Sequence, residues 1–301
     1  EGKKLPEGQP FRARRMSHLF GKSMEEIGVE YKPKDGDTPR TLIDTHAQAV
    51  ILESILSNSE FANDMFNAEE AEAFGSGKRV WFIDPYDGTS NAQIALPMST
   101  MGIGIVEEGE HIASIILNPF EKKLYTAEKH RGAFVYSCEF SRGWSMDVSP
   151  ERLDSMPQRL YPAITTRKEL KTDTSSRKAA NRYAWVDALF NKNTTERKIA
   201  WIRKMVEAGL IQNVRMTGSN IDYSTKIAEG RGHYQLTDAI GGYYDLCGFN
   251  LVEQAGGRMV NMQGEMPVPG DHVAIAVANP ADLEAVLKIT QECYKDYKGF
   301  R

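Results

Sequence analysis

The chain has 301 residues, of which 41% are hydrophobic and 26% are charged, a composition within the range of ordinary folded globular proteins. This length predicts one large domain or two lobes of about 150 residues each, and it excludes a small disulfide-stabilised fold. The net charge of -4 is too balanced to indicate a nucleic-acid or anionic-membrane surface, so any anionic ligand must be held locally.

The cysteine and histidine residues give no sign of a disulfide or metal-binding framework. The three cysteines lie far apart without a CxxC pair, which argues against disulfides and zinc. The six histidines show neither HxH nor HxxxH spacing, so a histidine metal site and a Ser-His-Asp triad have no support. No apolar run approaches the roughly 20 residues that a membrane span requires. We therefore expect a cytoplasmic protein that binds neither membranes nor nucleic-acid polymers.

The first half of the chain is predicted to combine a helix with an antiparallel sheet. Apolar residues recur at helical spacing over 41–57, after the turn-rich segment 32–39. Four β-favouring segments follow, and residues 107–110 have the composition of a hairpin turn between two of them. The predicted strands cover residues 80–84, 101–106, 111–118 and 123–127.

The second half is predicted to mix helices and strands after a change of character near residue 141. Residues 141–182 are polar and interrupted by prolines, so we place the lobe boundary there. The prediction is an N-terminal α+β lobe over 1–141 and a C-terminal α/β lobe over 142–301. Its predicted elements are helices at 194–208, 246–255 and 281–294 and a strand at 273–277.

The strongest local signal directly follows the apolar strand and reads Asp84-Pro85-Tyr86-Asp87-Gly88-Thr89. A turn accounts for the Pro, Asp and Gly residues by composition alone. A phosphate site accounts for more, because Gly88 and Thr89 leave backbone N–H groups free at a helix opening. Asp84 and Asp87 place hard oxygen ligands beside those groups. Since carboxylates repel a phosphate unless cations intervene, the second interpretation predicts Mg²⁺ or Mn²⁺.

Three further acidic positions have simpler explanations when each is taken alone. Glu69-Glu70 is typical of a solvated acidic helix face. Asp245 precedes an apolar helix and Asp44 lies near the start of another, where aspartate is a common N-cap.

Taken together and in order, these elements make the chain similar to the inositol monophosphatase family, the metal-dependent, lithium-sensitive sugar phosphatases. The resemblance extends from about residue 30 to residue 290. It is most specific in the Asp-Pro-x-Asp-Gly-Thr element at 84–89 and in the segment from Asp245 to Ala-Gly-Gly at 245–257. It implies an α/β (α+β) fold of the five-layered αβαβα sandwich type, in two lobes with the active site between them.

The resemblance also implies two divalent cations, Mg²⁺ or Mn²⁺ in its place. Glu69, Asp84 and the backbone carbonyl of Tyr86 would hold one cation. Asp84, Asp87 and Asp245 would hold the second, so that Asp84 bridges the pair.

The residues that act on the substrate follow from the same resemblance. Asp44, Thr89 and Glu69 are assigned to catalysis, in which Thr89 paired with Asp44 assists a water held by the metals. The phosphate would lie on the N–H groups of Gly88 and Thr89. The other predicted substrate-binding residues are Asp87, Gly218, Ser219, Asn220 and Asp238, the last of which would hydrogen-bond a sugar hydroxyl.

The implied reaction is Mg²⁺-dependent hydrolysis of a phosphate monoester of a small polyol or sugar, and the implied assembly is a homodimer. The alternative within the same class is a bisphosphate phosphatase that acts on 3′-phosphoadenosine 5′-phosphate or fructose 1,6-bisphosphate. The alternative from another class is a non-catalytic homologue that binds Mg²⁺ and a phosphorylated ligand.

A basic stretch at 165–182 leaves two interpretations open. Six Lys or Arg residues against Glu169 and Asp173 give it a local charge of +4. A solvated connector between the lobes is the simpler interpretation. The alternative is a lid whose guanidinium groups clamp a second phosphate over the metal site, which would favour a bisphosphate substrate.

Overall fold

A seven-stranded sheet occupies the first half of the chain in the computed structural model, which describes residues 30–31, 39–94, 96–139, 163–175, 182–238, 240–268 and 270–299. A two-stranded ribbon precedes the sheet, formed by β1 (Glu30–Tyr31) and β2 (Pro39–Arg40). The sheet contains β3 (Met65–Ala68), β4 (Arg79–Asp87), β5 (Thr100–Glu107), β6 (Glu110–Asn118), β7 (Lys123–Glu128), β8 (Gly132–Glu139) and β9 (Ala163–Glu169).

The strands of this sheet lie side by side in chain order. Only β3 and β4 pair parallel, and each following strand pairs antiparallel with its neighbour. The four strands predicted from the sequence correspond to β4 through β7 and are confirmed. Most of the turn-rich segment 32–39 and the lobe boundary near residue 141 lie outside the described residues.

One helix, α1 (Leu42–Leu56), covers the outer face of this sheet. It begins at the N-cap Thr41, whose hydroxyl accepts a hydrogen bond from the Ile43 N–H group at 3.1 Å. Side chains of α1 pack on Trp81 and Ile83 of β4. Because side chains alternate between the faces of a strand, Phe82 points to the opposite face and joins the central core.

A five-stranded sheet occupies the second half, in the order β11-β10-β12-β14-β13. Its strands are β10 (Tyr183–Val186), β11 (Asn213–Arg215), β12 (Tyr234–Thr237), β13 (Arg258–Asn261) and β14 (Ala274–Val277). The pairs β10–β11 and β10–β12 are parallel, so these three strands end at the same edge of the sheet. In open sheets of this kind, that edge is where ligands bind.

A short helix, α2 (Thr89–Gln93), lies between β4 and β5 in the first half. Four α-helices accompany the second sheet in the described ranges, together with two short 3₁₀ helices. The four are α3 (Thr195–Glu207), α4 (Asn220–Ala228), α5 (Phe249–Gln254) and α6 (Leu283–Tyr294). The 3₁₀ helices are Tyr243–Leu246 and Pro280–Asp282. In the described part of the chain, no helix is both long enough and apolar enough to cross a membrane.

The packing of these elements gives five layers. Residues of α4 and α5, such as Ile221 and Leu251, share one core with Phe82 of the first sheet and Ala276 of the second, so these helices lie between the sheets. Helices α3 and α6 cover the outer face of the second sheet. The layers are therefore α1, sheet, α4 and α5, sheet, α3 and α6, and the predicted αβαβα sandwich is confirmed.

The first sheet continues beyond the predicted lobe boundary. Strand β9 ends at Glu169, and the second sheet begins at Tyr183, so the change of sheet falls between these two residues. The division into two lobes stays a prediction.

The position of β9 also decides between the two interpretations of the basic stretch. Five strand spacings separate β9 from β4, which at about 4.8 Å each gives roughly 24 Å. Arg167 stacks on the Phe134 ring at 3.8 Å, and Arg182 pairs with Asp282 at 3.2 Å. The lid hypothesis is therefore wrong for these residues, while residues 176–181 lie outside the described ranges.

The predicted helix at 246–255 is interrupted in the structure, which is a correction. The Tyr243–Leu246 turn is 3₁₀, and α5 begins only at Phe249. The interruption is at Gly248, where a Cβ atom would lie 2.3 Å from the Ser224 Cβ of α4. The other two predicted helices correspond to α3 and α6 and are confirmed.

We expect Gly248→Ala to lower the free energy of unfolding by about 1–3 kcal/mol, because the added methyl overpacks the contact between α4 and α5. The backbone φ of -76° at Gly248 suits alanine, so the effect reports packing alone. Urea unfolding of Gly248→Ala, Ser224→Gly and the double variant measures it. The double variant should lose less stability than the sum of the single losses, and strict additivity would contradict the proposed clash.

Candidate active site

Four acidic side chains from distant parts of the chain meet between the two sheets. They are Glu69, which follows β3, Asp84 and Asp87 at the end of β4, and Asp245 in the 3₁₀ helix after β12. Burial raises the pKa of Asp84 well above its usual value, and the charges of the other three raise it further. Burial, Glu69 and Asp87 raise the pKa of Asp245 in the same way. The structure thus places all four predicted acidic metal ligands within range of one another's charges.

A β-bulge at the end of β4 gives Asp84 and Asp87 a common orientation. Asp84 lies opposite Gly102, but Asp87 lies opposite Thr100, so β4 has one residue more than β5 in this stretch. In a regular strand, positions three apart face opposite sides. The extra residue turns both carboxylates to the same side. The Tyr86 N–H group donates to Asp84 Oδ1 at 3.0 Å and fixes that side chain.

Asp87 also connects the first sheet to the helix α4. Its Oδ2 accepts hydrogen bonds from Ser219 Oγ at 2.7 Å and from the Ile221 N–H group at 2.6 Å, both at the start of α4. Ser219 is the N-cap of α4 as well, since its hydroxyl accepts from the Asp222 N–H group. Burial raises the pKa of Asp87 to about 7, although these hydrogen bonds act to lower it.

Asp245 is held by the loop that precedes it. Its Oδ2 accepts from the N–H groups of Gly241 at 2.6 Å and Gly242 at 3.1 Å. The N-cap interpretation of Asp245 is wrong for the apolar helix that follows, because α5 begins at Phe249, four residues after Asp245, and its N-cap is Gly248.

Glu69 follows β3 and is anchored by its backbone. Its N–H group donates to the Ile83 carbonyl of β4 at 3.0 Å, and its side chain is half-buried. Its charge acts on Asp84, Asp87 and Asp245. The interpretation of Glu69 as part of a solvated helix face is therefore wrong, since the residue lies at the end of a strand beside the cluster.

Thr89 and Asp44 form the predicted pair. Thr89 Oγ1 donates to Asp44 Oδ1 at 2.7 Å and lies 3.2 Å from the backbone carbonyl of Tyr86. Asp44 is fully buried and also accepts from the Thr41 N–H group at 2.8 Å. Burial raises the pKa of Asp44, and its hydrogen bonds with Thr41 and Thr89 oppose that shift. Asp44 is thus the third residue of α1, in a capping box with Thr41, and not the N-cap itself.

Gly88 allows the chain to turn into α2 beside the cluster. Its φ of 99° lies in the left-handed region, and a Cβ atom there would lie 2.8 Å from the Met98 carbonyl. Among the described residues, no hydrogen bond uses the N–H groups of Gly88 and Thr89. Both groups are thus available to the predicted phosphate.

The sequence analysis missed Asn91, which joins α2 to the loop before α4. Its buried Nδ2 donates to the Thr217 carbonyl at 2.7 Å, and its Oδ1 would lie 3.1 Å from a Cβ atom at Gly218. Tyr223 completes the loop by accepting from the N–H groups of Thr217 and Gly218. Asn91 lies two residues after the motif at 84–89, and a polar residue on the inner side of a short helix was the available signal.

The remaining predicted substrate residues divide into two groups. Gly218, Ser219 and Asn220 form the turn before and at the start of α4, beside Asp87. Asp238 is fully buried, and its carboxylate contacts Lys198 Nζ at 2.9 Å and Tyr294 Oη at 2.6 Å. This geometry corrects the expectation that Asp238 binds a sugar hydroxyl, because its oxygens are occupied inside the protein.

The cluster has the donor chemistry of a site for hard divalent cations. Carboxylate and carbonyl oxygens are the ligands that such cations prefer. Within the described ranges, no ammonium or guanidinium group pairs with Asp84, Asp87 or Asp245. Their mutual repulsion is therefore not offset by a side chain, and a bound cation would offset it. As they stand, no three His, Cys, Asp or Glu side chains of the described residues are close enough to hold one ion. The residues fit the cation, and their binding to it requires that the carboxylates draw together.

Comparison with known proteins identifies the relatives of this chain. A family model described as the inositol monophosphatase family matches residues 13–295. An inositol monophosphatase of Mesembryanthemum crystallinum is 26% identical over 212 residues, which are 68% of this chain and 67% of that protein. The Nus factor SuhB of Escherichia coli K12 is 31% identical over 123 residues, which are 40% of this chain and 46% of that protein.

A solved structure supports the fold independently. The extragenic suppressor protein suhB from Bartonella henselae superimposes with a TM-score of 0.71 over 92% of this chain and 93% of that chain, at 18% identity. At that identity the likeness concerns the fold. The matched segments of the first curated relatives span between 27% and 67% of those proteins' own lengths.

We expect Asp84→Asn to raise the free energy of unfolding of the chelator-treated protein by on the order of 1 kcal/mol, because it removes one of four mutually repelling charges. Urea unfolding at neutral pH in chelator measures the change. The matched control is Asp64→Asn at the other end of the strand pair, where the carboxylate accepts from Arg79 Nε at 2.7 Å and Trp81 Nε1 at 2.8 Å. The control should lose stability. An equal loss of stability in Asp84→Asn would contradict the proposed repulsion among the four carboxylates.

Proposed function

The chain belongs to the inositol monophosphatase family, and on that premise we propose that it is a Mg²⁺-dependent phosphatase acting on a phosphate monoester of a small polyol or sugar. The observation that carries this proposal is the contact between Thr89 Oγ1 and Asp44 Oδ1 at 2.7 Å, beside the four-carboxylate cluster. A cation site alone is also expected in a protein that only binds its ligand. A hydroxyl that is oriented by a buried carboxylate beside that site favours an enzyme, because it can assist the attacking water.

Five groups would hold the cations: Glu69, Asp84, Asp87, Asp245 and the backbone carbonyl of Tyr86. Bound Mg²⁺, or Mn²⁺ in its place, would supply positive charge for the phosphate and for the attacking water. The carboxylates themselves are fixed by short local hydrogen bonds, as at Asp84 and Asp245. Such bonds keep ligands oriented before a cation arrives.

The phosphate would bind at the turn that begins α2. The N–H groups of Gly88 and Thr89 are free to donate to phosphate oxygens, and the absence of a side chain at Gly88 lets the phosphate approach the backbone. The carbonyl of Met98 occupies the space that a Cβ atom at Gly88 would need. Glycine at this position thus satisfies both the turn and the approach.

The Thr89 hydroxyl would orient the attacking water. Its proton is directed to Asp44, so its lone pairs are left to accept a hydrogen bond from water. Asp44 is held in turn by the Thr41 N–H group at 2.8 Å, which fixes it as an acceptor. The pair thus assists removal of the water proton as phosphorus is attacked.

Among the described basic residues, the bisphosphate alternative no longer has the lid as its support, because Arg167 and Lys168 lie on β9 and Arg182 pairs with Asp282. A phosphate-release assay distinguishes the remaining candidates. With Mg²⁺, the panel contains inositol monophosphates, sugar monophosphates, fructose 1,6-bisphosphate and 3′-phosphoadenosine 5′-phosphate. Release from a monophosphate that a chelator abolishes supports the proposal, whereas Mg²⁺ binding without any release supports the non-catalytic alternative. The homodimer and the cytoplasmic location stay predictions from the sequence.

We expect Thr89→Ala to lower kcat by about 10²–10⁴-fold with a smaller change in KM, because it removes the hydroxyl and keeps the N–H group. Thr89→Ser is the matched control and should retain most of the activity, since it keeps the hydroxyl. Steady-state kinetics on the best monophosphate measure both variants. A raised KM at unchanged kcat would make Thr89 a binding residue and would contradict the assigned role.

A further inference from the structure

A buried charge cluster lies directly behind the loop that carries Asp245. Asp238, the first residue after β12, is at its centre and has no exposed surface. Its carboxylate pairs with Lys198 Nζ of α3 at 2.9 Å and accepts from Tyr294 Oη of α6 at 2.6 Å. Its backbone carbonyl accepts from Tyr297 Oη at 2.5 Å. The outer helical layer therefore holds both the side chain and the backbone of this residue.

Lys198 neutralises more than one carboxylate. Its ammonium group is fully buried and lies 3.8 Å from Asp187 Oδ1, and it also donates to the Leu189 carbonyl. Asp187 and Asp238 directly follow the parallel strands β10 and β12, so the topology places two negative charges at one sheet edge. Burying charges is costly unless they are paired with good geometry. The positive charge of Lys198 offsets the cost of burying both carboxylates at this edge of the sheet.

The cluster is connected to the metal-ligand residues on two sides. On one side, Asp238 begins the loop whose Gly241 and Gly242 N–H groups hold the Asp245 carboxylate. On the other side, Asp187 Oδ2 lies 3.5 Å from Asn220 Nδ2, in the turn of α4 whose neighbouring groups hold Asp87. Lys198 itself lies on a different layer and does not touch any of the four clustered carboxylates.

We propose that Lys198, with Tyr294 and Tyr297, is a positioning group for the cation site. It fixes the base of the loop that carries Asp245 and the start of the helix that holds Asp87. The inference rests on the proposed function, because it requires that these carboxylates bind a divalent cation. Loss of the anchor lets the two ligands relax apart under their own repulsion, so that cation affinity falls although no ligand is removed.

The test measures Mg²⁺ binding to the full chain by isothermal titration calorimetry, without substrate. Tyr294→Phe removes one hydrogen bond and keeps the ring in place. The triple variant Lys198→Met with Asp187→Asn and Asp238→Asn removes the lysine together with the charges of both its carboxylate partners, which protects the fold. We expect the Kd for Mg²⁺ to rise about tenfold in the triple variant and by a smaller factor in Tyr294→Phe, the range seen when groups behind metal ligands are removed.

The matched control is Thr290→Val, which removes the hydrogen bond between Trp201 Nε1 and Thr290 Oγ1 at 2.9 Å. This bond also joins α3 to α6 but does not reach Asp238, so the control should lose stability and keep its Mg²⁺ affinity. Unchanged affinity in both test variants, or an equal loss in Thr290→Val, overturns the positioning role alone. A wild-type chain that binds no Mg²⁺ overturns the proposed function together with this inference.

Discussion

The mutual repulsion of four carboxylates is the constraint on which the site depends. Glu69 follows β3, Asp84 and Asp87 end β4, and Asp245 lies in the 3₁₀ helix after β12, and each raises the cost of ionising another. Within the described ranges, backbone N–H groups and the Ser219 hydroxyl hold the three aspartates in place. Neutral donors fix a carboxylate without cancelling its charge, so the cluster keeps its attraction for cations. A salt bridge at the same positions would have removed that attraction.

A second pair of neighbouring carboxylates lies beside the outer helical layer, and there a side chain compensates their charge. At the ends of β10 and β12, Asp187 and Asp238 also follow strands and also lie close to one another, but a buried lysine neutralises them. Two acidic clusters thus lie at neighbouring edges of the fold, one left with its charge and one compensated from within. The proposals made above use this difference, with cation binding at the first cluster and support at the second. It also explains why an aspartate that follows a strand is not by itself a sign of a substrate contact.

Packing between the layers fixes the elements of the site relative to one another. Helices α4 and α5 share one core with both sheets, so the start of α4 is fixed relative to the end of β4. Asp87 uses this arrangement, since it belongs to β4 and accepts its hydrogen bonds from α4. Asn91 adds a second connection between the same two regions through the Thr217 carbonyl. Packing between layers and these hydrogen bonds therefore fix the end of β4 and the start of α4 relative to each other.

The amino-acid sequence by itself determined the features that depend on neighbours along the chain. The alternation over 100–128 specifies the antiparallel strands, and Thr41 specifies the start of α1 with Asp44 beside it. The motif at 84–89 contains its own turn, because Gly88 adopts a left-handed φ that other residues avoid. The order of the motifs along the chain also matched the family resemblance, and from it Glu69 and Asp245 were predicted to share a site with the motif at 84–89.

Only the tertiary structure decided which of those residues meet and which do not. The bulge between Asp84 and Asp87 depends on pairing with β5, and the need for glycine at position 248 depends on the approach of Ser224. Asp238 has the same local pattern as a site residue, but Lys198 and Tyr294, 40 and 56 positions away, occupy it. The first part of the basic stretch, up to Glu169, lies in an edge strand because it pairs with β8. Each outcome depends on contacts between residues far apart in the sequence, whose geometry is fixed only when the layers pack.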